Sequence, residues 1–348
     1  MDKWYKNPLI LSQVKSLRDT GMVWSYIYDY MTSSYPKFEF LSADSMRKRF
    51  AEHNRQITTG LVSEQSCSYD EAFERLCDYI GKSGTILTPK KVRRKRKKIL
   101  CMSDLHIPFH NEKVLVETVE KHSDADILLI NGDFGDCYSA SKYLKNKVIP
   151  LKDELSISAA ILDWLASRFP EIIILSGNHT DRVRKYFSKR VDNDMMFLVD
   201  YDILELLSKD LPNVEIVKDK YEFPNGNGES EISYFKLIGE DFVVGHFEKA
   251  SSIPARAAIA SYQWLMNWSY YFNIQNIRLF LQGHTHRLSK IVHNHGDVVI
   301  GESGCMAKVQ DYAIDSGAKY NNSHLNGYWI VYQENGVTDL NSSNFFIS

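Results

Sequence analysis

The chain has 348 residues, 44% of them hydrophobic and 25% charged, with a formal net charge of −2. That is ordinary for a soluble globular protein able to bury a core without disulfides, and it excludes a basic coat for nucleic acid, so any basic surface is local. Five cysteines, an odd number without CxxC or zinc-finger spacing, exclude a disulfide framework and fit a reducing compartment.

No stretch approaches the roughly 20 apolar residues that span a bilayer. The opening residues MDKWYKNPLI lack the pattern of a secretory signal. A cytoplasmic location is expected. In chain order, residues 1–88 read mostly as helix. Pro8 suits a helix start, with Leu9, Val14 and Leu17 behind it, and Gly21 breaks the pattern. Trp24, Ile27, Tyr28 and Met31 recur at helical spacing. Ser42 or Asp44 can cap a third helix carrying Met46, Arg47, Lys48, Arg49 and Phe50. A fourth pattern spans residues 69–80 and ends at Gly81 and Gly84. This small all-α domain has the look of a helix-turn-helix. Its Arg47-Lys48-Arg49 face is a candidate to enter a major groove, although a helical module making protein contacts would read the same way.

Residues 89–98 follow as a basic linker. Within KKVRRKRKK, eight of nine side chains are basic, and such a block repels itself and tends to stay extended. Arg93, Arg94 and Arg96 would add sequence-independent affinity for a phosphate backbone.

From residue 99 to residue 348 the texture changes. Apolar runs (ILCM, ILLI, IIIL) alternate with helical patterns around residues 112–122 and 151–169, which predicts an α/β domain with buried strands. Beyond residue 230 the strands come closer together and predict antiparallel β, with a helical insertion near residues 254–272.

Five polar motifs end apolar runs: Asp104-x-His106, Gly132-Asp133-x-x-Asp136, Gly177-Asn178-His179, Gly245-His246 and Gly283-His284-x-His286. Sites in α/β folds gather at the carboxyl ends of strands, and glycine before a ligand permits a sharp turn. A pair of divalent ions wants carboxylate, imidazole and amide donors, and Asp104, His106, Asp133, Asn178, His246, His284 and His286 supply all three. Each motif alone is weak. Five in order at strand ends are not a chance pattern.

This order of motifs, over roughly residues 97–335, resembles the calcineurin-like metallophosphoesterase superfamily. The resemblance implies two packed mixed β-sheets flanked by helices. It implies that Asp104, His106 and His286 hold one metal, that Asn178, His246 and His284 hold a second, and that Asp133 bridges them. A hydroxide between the metals would attack phosphorus. His179 would stabilise the transition state or protonate the leaving oxygen, and Asp136 would orient it. The metal itself is open among Mn, the first expectation, and Fe, Zn, Mg or Ni. A helical module joined to such a domain also resembles phosphoesterases encoded by bacteriophages and prophages.

The sequence departs from the family pattern in two informative places. Thr180 follows the Gly-Asn-His motif where an acid is common. Cys137 stands where the protein Ser/Thr phosphatases of the superfamily carry a phosphate-gripping Arg, which tilts the expectation toward phosphodiesters. Arg182 and Arg184 are candidates to bind phosphate, and His110 is a candidate substrate contact. Cys305 has nothing beside it in sequence to activate it. The aromatic stretch Tyr262–Phe272 reads as core before it reads as a stacking platform. The leading expectation is a metal-dependent phosphodiesterase acting on DNA or RNA. The alternatives are a phosphatase or cyclic-nucleotide diesterase for a small molecule, and a non-catalytic DNA-binding protein with a vestigial site.

Overall fold

The computed structural model describes residues 2–4, 10–11, 14, 23–34, 38–39, 41–58, 88–91, 94–141, 148–190, 202–219, 221–224, 230–293, 296–309 and 324–348. The chain divides into two compact units, Met1–Glu71 and Ala72–Ser348.

In the first unit, strand β1 (Asp2–Lys3) pairs in parallel with β2 (Phe38–Glu39). Helix α1 (Trp24–Ser34) precedes β2 and α2 (Ala43–Thr58) follows it. Ile27 and Met31, one turn apart on α1, are fully buried with Val14 and Met46, and Trp24 meets Phe50 edge-on at 5.7 Å. Ser42 caps α2 by accepting from the Ser45 amide at 3.1 Å. Arg47 and Lys48 each reach Asp44 at 2.8 Å, and Arg49 is exposed. The helix expected over residues 69–80 lies outside the described residues, as does Arg93.

The second unit is two packed sheets with helices on both outer faces. Its elements run β3 (Arg96–Met102), α3 (Glu112–Lys121), β4 (Ile127–Ile130), α4 (Leu151–Ala166), β5 (Ile172–Leu175), α5 (Asp181–Ser188), α6 (Ile203–Ser208) and β6 (Val214–Val217). There follow β7 (Tyr221–Pro224), β8 (Ser230–Ile238), β9 (Phe242–Phe247), α7 (Arg256–Asn267), β10 (Leu279–Gln282), β11 (Leu288–His293), β12 (Val298–Ser303), β13 (Gly327–Glu334), β14 (Val337–Thr338) and β15 (Asn344–Ile347). One sheet has the order β14-β13-β3-β4-β5-β6, with β15 also on β13. The other has the order β11-β12-β10-β9-β8-β7. Strands β3 to β6 are parallel, whereas β13 is antiparallel to β3.

The continuous apolar runs have a simple cause: both faces of the first sheet are covered. Leu100, Met102, Leu128, Ile130, Ile172 and Ile174 meet α3, α4 and α6. Their alternate neighbours Ile99, Cys101, Ile127, Leu129, Ile173 and Leu175 meet Phe242, Val244, Leu279 and Leu281 of the second sheet. Strands buried on two faces lose the alternation of polar and apolar residues. The far face of the second sheet packs Val243, Phe280 and Ile300 against Ala258, Tyr262 and Leu265 of α7.

Two expectations are corrected. The half of the chain beyond residue 230 is not simply antiparallel: β9, β10 and β12 are mutually parallel, with antiparallel strands outside them. The chain between β9 and β10 includes α7, and a crossover of that size can return a strand in the same direction where a tight turn cannot. The basic block is also not a free tether to its end. Arg96 to Lys98 begin β3 and pair with Tyr332 to Glu334. Its cations meet acids of the same unit: Lys91 to Glu171 at 2.8 Å, Arg94 to Asp126 at 3.5 Å, Arg96 to Asp339 at 3.2 Å and Lys98 to Asp124 at 2.5 Å. Opposite charge nearby removes the self-repulsion that would keep such a block solvated.

Candidate metal centre

Parallel pairing sets the site's location. Met102 is level with Ile130 across β3 and β4, so the loops after both strands leave the sheet side by side. The Asp104 and His106 amides donate to Gly132 O at 3.3 Å and Asp133 O at 2.9 Å. In the second sheet, Gln282 is level with Gly245. That brings His246, which lies inside β9, beside the loop that carries His284 and His286.

The backbone at these positions is unusual. Asp104, His106, Asp133, His284 and His286 have φ of 52°, 48°, 45°, 73° and 55°. Side-chain-bearing residues visit this left-handed region at a cost of about 1–3 kcal/mol each, and such strain gathers at functional sites. Two glycines allow the close approach. A Cβ on Gly132, whose φ is 81°, would sit 2.0 Å from His246 Nδ1, and one on Gly177 would sit 2.2 Å from Asp133 Oδ1.

The side chains form two groups that share Asp133. In the first, Asp104 Oδ2 accepts from the Ser103 hydroxyl and from the His284 amide at 3.1 Å. Its Oδ1 is buried, has no hydrogen-bond partner among the described residues, and lies 3.3 Å from His286 Nε2 and 3.6 Å from His106 Nε2. The Nε2 atoms of His106 and His286 are 2.9 Å apart. In the second, Asn178 Oδ1 lies 3.1 Å from His246 Nε2 and 2.9 Å from His284 Nδ1. His246 is aimed by its Nδ1, which donates to Asn131 O at 3.0 Å. Between the groups, Asp133 Oδ1 accepts the His179 amide at 3.0 Å. Its Oδ2, buried and without a donor, is 3.2 Å from His246 Nε2 and 3.9 Å from His106 Nε2.

This donor set fits a pair of divalent cations. Two buried carboxylate oxygens lack a hydrogen-bond donor among the described residues, and imidazole nitrogens converge on them. A buried acceptor left unpaired is costly, and a cation is the partner that satisfies oxygen and nitrogen lone pairs together. The electrostatics point the same way. Burial alone would raise Asp104 and Asp133, but neighbouring histidines hold both well below the usual carboxylate range. Burial opposes charge on His106 and His246, yet the carboxylates outweigh it and push them up to about 10 and about 9. His284 is driven down to about 3 by burial and by His246.

Beside this centre, His179 Nδ1 lies 2.8 Å from Asp136 Oδ1. Arg182 Nη1 donates to Asp136 O at 2.9 Å and Oδ2 at 3.0 Å, and its Nη2 lies 2.7 Å from His179 Nε2. Thr180, the departure from the family pattern, closes the Gly-Asn-His loop. Its Oγ1 accepts from the Gly177 amide and donates to Gly177 O, both at 2.8 Å.

All seven expected ligands, with His179, Asp136 and Arg182, therefore come together. Arg184 does not join them and is exposed on α5. His110 is neither a loop residue in solvent nor part of these groups. It is buried beside Glu112 and Lys308, and burial lowers it to about 4. Cys137 is buried, and desolvation raises its thiol well above its usual range, so it stays a neutral thiol. Tyr262 is core as expected, whereas Trp268, Tyr270 and Tyr271 are exposed.

Sequence reasoning missed three contributors. Asn131 positions His246 through its backbone carbonyl, which leaves no trace in residue type. Cys305 donates its thiol to Asp104 O at 3.3 Å. His324 joins His286 and Cys305 in a further group able to hold a metal, and no strand-end glycine announces it.

Residues 97–288 match the sequence family described as calcineurin-like phosphoesterase. No curated protein matches the chain significantly. Similar solved structures include a metallophosphoesterase from Sphaerobacter thermophilus, 15% identical, covering 72% of this chain and 87% of its own, with a TM-score of 0.33. A protein serine/threonine phosphatase from Saccharomyces cerevisiae is 12% identical, covering 80% and 89%, with a TM-score of 0.34. A conserved uncharacterized protein from Streptococcus pneumoniae is 12% identical, covering 74% and 100%, with a TM-score of 0.27.

Proposed function

This chain belongs to the calcineurin-like phosphoesterase family, and from that premise we propose that it is a phosphodiesterase working with two divalent ions, manganese foremost. Metal-dependent hydrolysis of phosphate esters is the chemistry of the family. The finer reading rests on one observation: Asp133 Oδ2, buried and without a donor, lies between the two histidine groups. Asp104, His106 and His286 would hold one ion and Asn178, His246 and His284 the other, with Asp133 serving both. Bound there, the ions supply Lewis-acid polarisation of phosphoryl oxygens and an activated water.

The chain's own residues do the rest. Ser103 and the His284 amide fix Asp104 through its Oδ2 and leave Oδ1 for an ion. The His179 amide fixes Asp133, and Asp136 fixes the His179 ring, whose Nε2 lies 3.9 Å from Asp133 Oδ2. Such supporting contacts set ligand orientation and basicity. The preference for a diester follows from charge. The buried thiol of Cys137 adds no cation, and the Arg182 charge is opposed by Asp136 at 3.0 Å. With Arg182 partly neutralised in this way, the protein's own contribution of positive charge suits a monoanionic diester better than a dianionic monoester.

The test is turnover of bis-p-nitrophenyl phosphate beside p-nitrophenyl phosphate. The protein is stripped with chelator and restored with Mn2+, with Asp133→Ala as control. Manganese-dependent turnover that favours the diester and vanishes in the variant supports the reading, and DNA, RNA and cyclic nucleotides are then tried. Preference for the monoester moves the protein to the small-molecule phosphatases. No turnover with any metal sinks the hydrolase.

A further inference from the structure

We infer that Arg182 is the residue that grips the substrate phosphate, and that its resting contact with His179 is a placeholder for that phosphate. The inference rests on the hydrolase reading above and assigns the anion subsite of the same centre. Its observation is the division of labour within one guanidinium. Nη1 is committed, donating to both the backbone oxygen and the carboxylate of Asp136 at 2.9 and 3.0 Å. Nη2 is aimed the other way, 2.7 Å from His179 Nε2. That nitrogen in turn faces Asp133 Oδ2, the oxygen shared by the two groups, at 3.9 Å.

Hydrogen-bond chemistry fixes the roles. A guanidinium only donates, so His179 Nε2 must accept from Nη2 and carries no hydrogen. The hydrogen of the ring is then on Nδ1, where Asp136 Oδ1 accepts it at 2.8 Å. In the resting protein His179 thus offers no donor toward the centre. The donor at that spot is Arg182 Nη2. A phosphoryl oxygen arriving over Asp133 competes with His179 Nε2 for this donor, and it carries formal charge where the imidazole does not. Charge-assisted bonds from Arg to phosphate are about twice as strong as neutral ones. The exchange leaves Nη1 in place, needs no movement of the backbone, and leaves the lone pair of His179 Nε2 open to accept a proton. Binding of the phosphate and release of His179 are one event.

Three features make Arg182 the natural holder. Its place is fixed by α5, whose first turn follows the loop that Thr180 closes. Its side chain is only partly exposed, at 13%, so water weakens the contact little. Cys137, beside the same Asp136, contributes no charge.

The test is calorimetric titration of inorganic phosphate into manganese-loaded protein, with metal content measured alongside, for the wild type, Arg182→Ala and Arg182→Lys. Loss of one charge-assisted bond predicts a Kd for phosphate about 10- to 100-fold higher in Arg182→Ala, with metal content unchanged. Arg182→Lys recovers part of it, and added guanidinium ion recovers part in Arg182→Ala. With the diester, KM rises with the phosphate Kd. Phosphate affinity within about twofold of wild type in Arg182→Ala, with both metals retained, overturns the inference. So does loss of metal in both variants, because Arg182 would then hold the loop and not the substrate. A wild type that binds phosphate through Arg182 but hydrolyses neither ester sinks the hydrolase alone.

Discussion

Asp133 is the residue on which the site turns. One oxygen is tied to the His179 amide and the other, unpaired, faces two imidazole groups. Asp133→Asn keeps the shape but removes the charge. It should lower metal affinity by more than the ~10–100-fold expected for a residue outside the ligand set, read by calorimetric metal titration. Glu154 supplies a prediction on pH. It is buried, its Oε2 accepts the Tyr138 amide at 3.0 Å, and burial, aided by the Asp136 charge, raises it from 4.5 to about 8. The folded protein therefore binds a proton there that the unfolded chain releases. The stability from this group is fully present below about pH 4.5 and is lost as pH rises through about 8. Glu154→Gln should flatten that part of the profile, measured by urea midpoints at pH 5, 6.5 and 8. At this scale the seven candidate ligands, which the structure brings together, were legible from residue type and spacing, because a metal demands particular donors. The Arg182 bridge, Asn131 and His324 were not, because a hydrogen bond to a backbone carbonyl or a partner distant in sequence leaves no local signature.

At the scale of elements, the parallel strands β3, β4 and β5 end together, and so do β9 and β10. Leu281, on β10 and fully buried between the sheets, should cost about 2–5 kcal/mol when cut to Ala, seen as a lower urea midpoint with an unchanged slope. The loops are less forgiving than the strands. Gly132→Ala puts a Cβ 2.0 Å from a His246 ring atom, and the prediction is loss of metal binding with a lowered melting temperature. The apolar runs alone mark these strands, since burial on both faces writes itself as consecutive Ile and Leu. The direction of β9, β10 and β12 does not show in the runs. Parallel and antiparallel strands buried on both faces have the same residue pattern, and only the connections distinguish them.

At the scale of the whole molecule, the centre draws ligands from both sheets of the second unit. A bound ion therefore ties the sheets together and stabilises by mass action. Chelator should lower the melting temperature, and Mn2+ should restore it in the wild type but far less in Asp133→Asn. The two units divide at Glu71, and the basic block that follows meets acids of the second. A protein beginning at Pro89 should keep metal-dependent turnover of the small diester. Activity on DNA or RNA would fall on that truncation only if the first unit recruits the substrate, which salt-dependent binding measurements would read directly. The sequence by itself determined the α/β class, the strand ends and the donor set, because burial and metal chemistry each restrict residue types position by position. Only the tertiary structure decided which oxygens stay unpaired, which arginine turns inward while Arg184 faces solvent, and how Thr180 closes its loop. These depend on where two sheets and their loops converge, and no single segment of the chain carries that information.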